Sequence, residues 1–167
     1  MRILLAIDGS KHSEAAAQAL SERPWPPETT IRVLSVVQSA RAAAPFFPES
    51  QVNYEMATLR LVDAAEKLVM QKAEAIGNSD SSREAGVKAE TTVRQGDPRS
   101  EIVTEARDWG ADLVVLGSHG RTGIKRLVMG SVAEYVVRHA PCSVEVARQR
   151  EPHDTEQVRP PLPAHPR

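Results

Sequence analysis

Residues 111–131 read ADLVVLGSHGRTGIKRLVMGS, and this stretch decides the fold. The continuous apolar run Leu113–Leu116 is typical of a parallel strand that is covered on both faces. A helical pattern begins at Ser131, after a connection of about 13 residues, whereas strand-to-helix loops usually have about two to six. Long loops in compact domains are often functional. The stretch therefore predicts a buried strand, a functional loop and a helix in succession.

The rest of the chain repeats this alternation of strand and helix. Four more short apolar runs predict strands at Ile3–Ile7, Ile31–Val37, Val87–Val93 and Cys142–Val146. Between the strands, helical patterns cover roughly Lys11–Leu20, Val52–Ile76 and the segment from Pro98 to Trp109. Strict alternation implies right-handed crossovers, so we predict an α/β fold with a doubly wound parallel sheet and helices on both faces.

Capping residues predict where two of the helices begin and end. Asp97 can cap a helix whose first residue is Pro98, and Gly110 fits the terminating position. Ser131 and Glu134 have the spacing of a capping box. The inner face of this last helix is predicted to carry Ala133, Val136, Val137 and Ala140.

Length and composition exclude several classes of protein. The 167 residues suit one domain, and 21 Lys+Arg against 22 Asp+Glu argue against a general nucleic-acid binder. The single cysteine excludes a disulfide framework, and no apolar run approaches the ~20 residues that span a bilayer. We expect a soluble, cytoplasmic protein without a membrane partner. Residues 1–148 should form the domain, and residues 149–167, which hold five of the 12 prolines, a disordered tail.

The glycines of the long loop predict a phosphate site. They fall as Gly117-x2-Gly120-x9-Gly130-Ser131, and glycine lets the backbone approach an anion closely. The helix that follows adds its positive dipole end and its unpaired N–H groups. Arg121, Lys125 and Arg126 either neutralise phosphate charge or form a solvated loop face. The chain has neither a Walker motif nor a dinucleotide fingerprint.

This glycine pattern resembles the ATP-binding signature of the universal stress protein family. Ile7-Asp8-Gly9-Ser10, Gly96-Asp97-Pro98 and the run from Ala111 to Gly120 also resemble that family, and the match covers residues 1 to about 148. The resemblance implies a Rossmann-like sheet of five strands in the order 3-2-1-4-5. It also implies a homodimer joined through strand five, with Val144 and Val146. The family usually has an apolar residue where Glu145 stands, so Glu145 is expected to face solvent or to meet Arg148 across the dimer axis.

The resemblance also implies a ligand, ATP with or without Mg2+, and a role for individual residues. Asp8 would bind ribose hydroxyls or lie near a phosphate-bound Mg2+, and the backbone of Val36 would meet the adenine edge. Ser131 and the N–H of Val132 would hold the terminal phosphates. The full set of expected nucleotide-binding residues is Ala6, Ile7, Asp8, Val36, Gly117, His119, Gly120, Arg121, Gly130, Ser131 and Val132.

Several of these residues have a second interpretation. Asp8 could cap the first helix, Ser131 could serve in capping alone, and His119 could act as a general base instead of lying beside a phosphate. Cys142 is expected to be a buried, inert thiol. The function we expect is that of an ATP-binding regulatory protein of the stress response, which is not an enzyme. A slow ATP hydrolase or phosphoryl-transfer enzyme, or a nucleotide-independent dimeric interaction module, is the alternative.

Overall fold

A computed structural model describes residues 1–38, 51–120 and 129–148. The strands are β1 (Arg2–Ala6), β2 (Thr30–Val37), β3 (Lys88–Gln95), β4 (Leu113–Gly117) and β5 (Ser143–Ala147). The helices are α1 (Lys11–Ser21), α2 (Gln51–Gly77), α3 (Asp80–Ala85), α4 (Pro98–Trp109) and α5 (Ser131–His139). The predicted tail and the cationic residues Arg121, Lys125 and Arg126 lie outside the described residues.

The five strands form one parallel sheet in the order β3-β2-β1-β4-β5, which confirms the predicted fold class. In the middle of the sheet, Leu4 lies opposite Val114 of β4, and Leu5 lies opposite Val115. The winding direction reverses between β1 and β4, where the chain passes from one half of the sheet to the other. In sheets of this kind the carboxyl ends of the strands at the reversal leave a crevice for a ligand.

The core has two layers because successive strand residues point to opposite faces of the sheet. Ile3 and Leu5 pack against α1 and α2, whereas Leu4 and Ala6 pack against α4 and α5. Full burial of an aliphatic side chain of this kind contributes about 1.5–3 kcal/mol. The two layers hold β1 in the centre and fix the position of the loop that follows it.

The helix ends agree with the sequence in one case and correct it in the other. Asp97 caps α4 by accepting a hydrogen bond from the N–H of Arg99, and Gly110 ends the helix in a left-handed conformation. The predicted capping box at Ser131 is wrong, because Gly130 is the N-cap of α5 and Ser131 is its first helical residue. The sequence also missed α3, a short helix capped by Ser79.

Two predicted apolar faces are only partly buried. In α2, Ala65, Val69 and Ile76 are buried, but Met56 and Leu59 nearer its start are 51% and 62% exposed. The N-terminal half of this helix therefore extends beyond the layer that its second half covers. In α5, Val137 is 48% exposed because Ala133 and Val136 alone make the buried stripe.

A buried carboxylate ties α4 to the outer strands. Glu105 is 4% exposed, and its two oxygens accept hydrogen bonds from Arg32 of β2, at 2.7 Å, and from Arg94 of β3. The Arg32 guanidinium also lies over the Trp109 ring, 4.3 Å from its centroid. Both arginines thus compensate a charge that would otherwise be costly to bury.

Strand β5 forms one edge of the sheet, and Glu145 on it has a partner within its own chain. Arg23, just after α1, donates to both carboxylate oxygens of Glu145 at 2.6 Å. Val144 and Val146 point to the other face, where they are partly buried against the core. Among the described residues, no helix is long and apolar enough to cross a membrane.

Candidate functional site

A cavity of about 300 Å3 opens at the carboxyl ends of β1, β2 and β4. It brings together ten of the eleven residues that the sequence singled out, and Arg121 lies outside the described residues. The ten residues that line it are Ala6, Ile7, Asp8, Val36, Gly117, His119, Gly120, Gly130, Ser131 and Val132. Residues more than 100 positions apart in the chain thus form one wall.

One side of the cavity is apolar and includes residues that the sequence reasoning missed. Leu34 and Val36 come from β2, whereas Pro98 and Ile102 come from the first turns of α4. The signal for α4 was present in Gly96-Asp97-Pro98, which we had interpreted as a helix start only. An apolar wall with a few polar groups opposite is typical of small-molecule sites.

The three signature glycines occupy positions where a side chain would collide with the polypeptide. A Cβ at Gly117 would lie 2.7 Å from the carbonyl carbon of His12 and 2.8 Å from the nitrogen of Ser13. A Cβ at Gly120 would lie 2.9 Å from Oδ2 of Asp8, and one at Gly130 would lie 3.1 Å from the carbonyl oxygen of Ser118. The glycines therefore allow the loops after β1 and β4 and the start of α5 to pack closely.

The start of α5 faces the cavity without a side-chain cap. Gly130 has no side chain to accept a hydrogen bond, and the first backbone bond of the helix joins the N–H of Glu134 to the carbonyl of Gly130. The amides of residues 131–133 precede that bond, as the first N–H groups of every helix do. In contrast, Ser10, Ser79 and Asp97 each accept a hydrogen bond from the first turn of the helix they precede.

The loop after β1 is held to the loop after β4 by short polar contacts. Oδ1 of Asp8 accepts a hydrogen bond from the N–H of Ser10 at 3.0 Å, and the Ser10 hydroxyl donates to the carbonyl of His119 at 3.3 Å. Ser10, and not Asp8, caps α1, because its oxygen accepts from the N–H of Ser13. The carboxylate of Asp8 therefore braces its own loop and also lines the cavity.

Ser118 joins two histidines behind this wall, and the sequence reasoning missed it. Its side chain is almost fully buried, and its Oγ lies 3.2 Å from Nδ1 of His119 and 3.4 Å from Nδ1 of His12. The two imidazole rings lie 5.1 Å apart. Sequence proximity made Ser118 part of the motif, but only the fold brings His12 to it.

The remaining candidate groups carry no chemistry in the described part of the chain. Cys142 is partly buried against the second core layer, and burial raises the pKa of its thiol, as expected for an unreactive cysteine. Within residues 1–38, 51–120 and 129–148, no group of three or more His, Cys, Asp or Glu could hold a metal ion.

Comparison with known proteins agrees with this site and this fold. The sequence model of the universal stress protein family matches residues 1–148. A Staphylococcus epidermidis protein that carries the universal stress protein name is 31% identical over 154 residues, which are 89% of this chain and 84% of that protein. A Staphylococcus aureus protein with the same name is 30% identical over the same length.

Solved structures show the same fold. The universal stress protein UspA from Lactobacillus plantarum superposes with a TM-score of 0.72 at 24% identity, covering 89% of this chain and 97% of that one. A universal stress protein family protein from Arabidopsis thaliana, solved with AMP bound, has a TM-score of 0.60 at 20% identity and covers 90% and 92%.

Proposed function

The chain belongs to the universal stress protein family, and on that premise we propose that its cavity binds an adenine nucleotide, with ATP as the ligand. The observation that carries the proposal is the uncapped start of α5 on one side of the cavity, opposite the apolar wall of β2 and α4. A nucleotide has the matching halves, since its base is largely apolar and its phosphates are anionic.

The phosphates belong at the start of α5. Unpaired N–H groups and the helix dipole favour an anion there, and Gly130 leaves room for it to approach. Because Ser131 is the first helical residue and not the cap, its hydroxyl can donate to a phosphate oxygen. The AMP bound by the Arabidopsis protein supports a nucleotide in a fold of this kind.

The base belongs between β2 and α4. Leu34 and Ile102 supply apolar surface there, and the backbone of Val36, at the end of β2, offers polar groups for the adenine edge. This placement orients the phosphates toward Gly120 and Ser131 across the ends of β1 and β4.

The biological role that follows is regulatory. Nucleotide occupancy would change the surface around the cavity and so the choice of protein partners, in a cytoplasmic protein of the stress response. The edge of the sheet at β5, with Val144 and Val146, is the surface through which we propose that two copies associate. Arg23 neutralises Glu145 within each copy, so this charge does not oppose association.

Calorimetric titration of the full-length protein with Mg-ATP tests the proposal. We expect saturable binding, with AMP at least tenfold weaker than ATP because it lacks the terminal phosphates. Gly120→Ala should weaken ATP at least tenfold, since its Cβ would collide with the Asp8 carboxylate. The matched control is Gly77→Ala, where the added Cβ meets its nearest neighbour at 3.8 Å, an ordinary contact.

Two outcomes would contradict the proposal. Absence of binding heat at millimolar Mg-ATP would remove the nucleotide site, and adenosine binding as tightly as ATP would remove the phosphate site at α5. A single-turnover assay on the same preparation should release no phosphate over hours, and release would favour the hydrolase alternative.

A further inference from the structure

The His12–Ser118–His119 array has no role in the nucleotide site as described so far. Ser118 Oγ lies within hydrogen-bond distance of Nδ1 of both histidines, and Ser118 and His119 line the cavity. A serine hydroxyl has one hydrogen to donate and two lone pairs to accept with. It can therefore donate to one imidazole only while it accepts from the other.

The orientation of the His119 ring connects the array to the start of α5. Its Nδ1 edge faces Ser118, whereas its Cδ2 lies 3.9 Å from the position that a Cβ on Gly130 would take. Cδ2 is bonded to Nε2, so the Nε2 edge of the ring lies on the side of Gly130. This is the side on which the phosphates of the proposed nucleotide would lie.

A phosphate on that side favours a particular protonation state. An Nε2 lone pair repels the anion, whereas an Nε2–H donates to it. An imidazolium carries both hydrogens, so His119 in that form can donate from Nε2 to a phosphate and from Nδ1 to Ser118. The Ser118 hydroxyl can then donate to Nδ1 of a neutral His12, which satisfies every member of the array.

Charged groups on the surrounding elements are consistent with a single added proton. Asp8, in the loop after β1, is the acidic side chain on the cavity wall and favours a nearby cation. Two cationic rings 5.1 Å apart would repel each other, so the pair takes up one proton and not two. Around it, Lys11 on α1 is exposed and Arg148 follows β5, and the other charges of α1, α2, β5 and α5 form the pairs Glu14–Lys72, Arg23–Glu145 and Glu134–Arg138.

We propose that the His12–Ser118–His119 array is a proton-binding site linked to the nucleotide site, so that the protein takes up a proton as the phosphates bind. The inference rests on the proposed function, because it needs an anion at the start of α5. Histidine is the side chain that gains and loses its proton in the physiological range, so nucleotide affinity rises as pH falls from 8 to 6. The protein then responds to intracellular acidification as well as to nucleotide concentration.

Calorimetry with ATP at pH 7, in PIPES and in Tris, measures the number of protons exchanged on binding. The two buffers differ in ionisation enthalpy, so the difference in heat gives the proton count. ATP titrates as well, with a phosphate pKa of about 6, but this contribution is the same for every variant. We expect the wild-type protein to take up at least 0.3 proton more than His119→Gln, which keeps an amide donor at the ε position but does not titrate.

Two further variants separate the array from a structural role. Ser118→Ala should lower the proton count, because His119 can then carry its hydrogen on Nε2 and donate to phosphate while neutral. His139→Gln is the matched control, since this exposed residue at the end of α5 contacts Tyr135 and should behave as wild type. The ratio of ATP affinities at pH 6 and pH 8 should be at least fivefold larger for wild type and His139→Gln than for His119→Gln.

The outcomes distinguish this inference from the function on which it rests. If His119→Gln and Ser118→Ala bind ATP with the proton count and pH dependence of wild type, the linked proton site is overturned and the nucleotide site stands. If either variant fails to unfold cooperatively on heating, the other decides. If wild-type protein binds no ATP at any pH between 6 and 8, both proposals fail.

Discussion

Two helices begin beside the cavity, and they begin in opposite ways. At α4, Asp97 accepts from the N–H of Arg99, and the Arg99 guanidinium binds the same carboxylate at 2.6 Å. At α5, Gly130 provides no side-chain acceptor. The first helix start is saturated by its own residues and gives the cavity the apolar Pro98 and Ile102, whereas the second leaves its amides for a ligand. Capping chemistry, more than the position of a helix, therefore distinguishes a structural start from a binding one.

The comparison breaks most sharply if α5 is given the kind of cap that α4 has. Gly130→Asp places a carboxylate where the phosphates would lie, so it should both occupy the first-turn amides and repel the ligand. We expect ATP affinity to fall at least 100-fold, which corresponds to about 2.7 kcal/mol. Calorimetric titration measures the loss.

Gly130→Ala is the control for the added Cβ. Its methyl group would lie 3.1 Å from the Ser118 carbonyl oxygen, a contact that a small shift can relieve. We expect less than a tenfold loss of ATP affinity. Equal losses for Ala and Asp would mean that crowding, and not the cap, explains the effect.

Removal of the cap of α4 should have a smaller effect, on stability and not on binding. Asp97→Ala should lower the free energy of unfolding by about 1 kcal/mol at pH 7, with ATP affinity changed less than twofold. Asp63→Ala, which removes an exposed i,i+4 partner of Lys67, should cost less than about 0.5 kcal/mol. Urea denaturation followed by circular dichroism compares the two variants.

The pH dependence of that difference has a definite sign. Hydrogen bonds from the side chain and the N–H of Arg99 lower the pKa of Asp97 in the folded protein. A lowered pKa means that the carboxylate stabilises the fold above the ordinary aspartate pKa, near pH 4, and that this stabilisation is lost as pH falls further. The gap between wild type and Asp97→Ala should therefore narrow below pH 4. A gap that widens there would contradict the assignment.

The smallest expected effect concerns Ser131, which occupies the first turn of α5 without capping it. Ser131→Ala should change the free energy of unfolding by less than about 0.5 kcal/mol but weaken ATP three- to tenfold. Ser79→Ala, at the real cap of α3, should instead cost about 1 kcal/mol and leave ATP binding unchanged. A stability loss at Ser131 as large as that at Ser79 would restore the capping box.

The sequence predicted the sheet and most of the cavity because both depend on local signals. Apolar runs locate strands, Asp97-Pro98 locates a helix start, and the spacing from Gly117 to Gly130 indicates a loop between β4 and α5. Strict alternation then places the strand ends at one edge of the sheet. The ten described residues of the expected site follow from these steps and from the family resemblance.

The features that the sequence did not predict depend on contacts between distant segments. Nothing near His12 indicates that its ring shares a hydroxyl with a residue 106 positions later. The cap of α5 was misplaced by one residue because serine is the better capping residue in isolation. Close approach of Ser118 and His119 favours glycine at that position instead.

The buried Glu105 has a consequence for how this chain can change over evolutionary time. Loss of Glu105 alone would leave Arg32 and Arg94 facing each other, and loss of either arginine would leave the carboxylate undercompensated. Apolar replacement of all three together could be neutral, but each single step toward it passes through a destabilised intermediate. The three positions should therefore drift as a linked set, and α4, whose first turns line the cavity, inherits that constraint without any selection acting on the ligand.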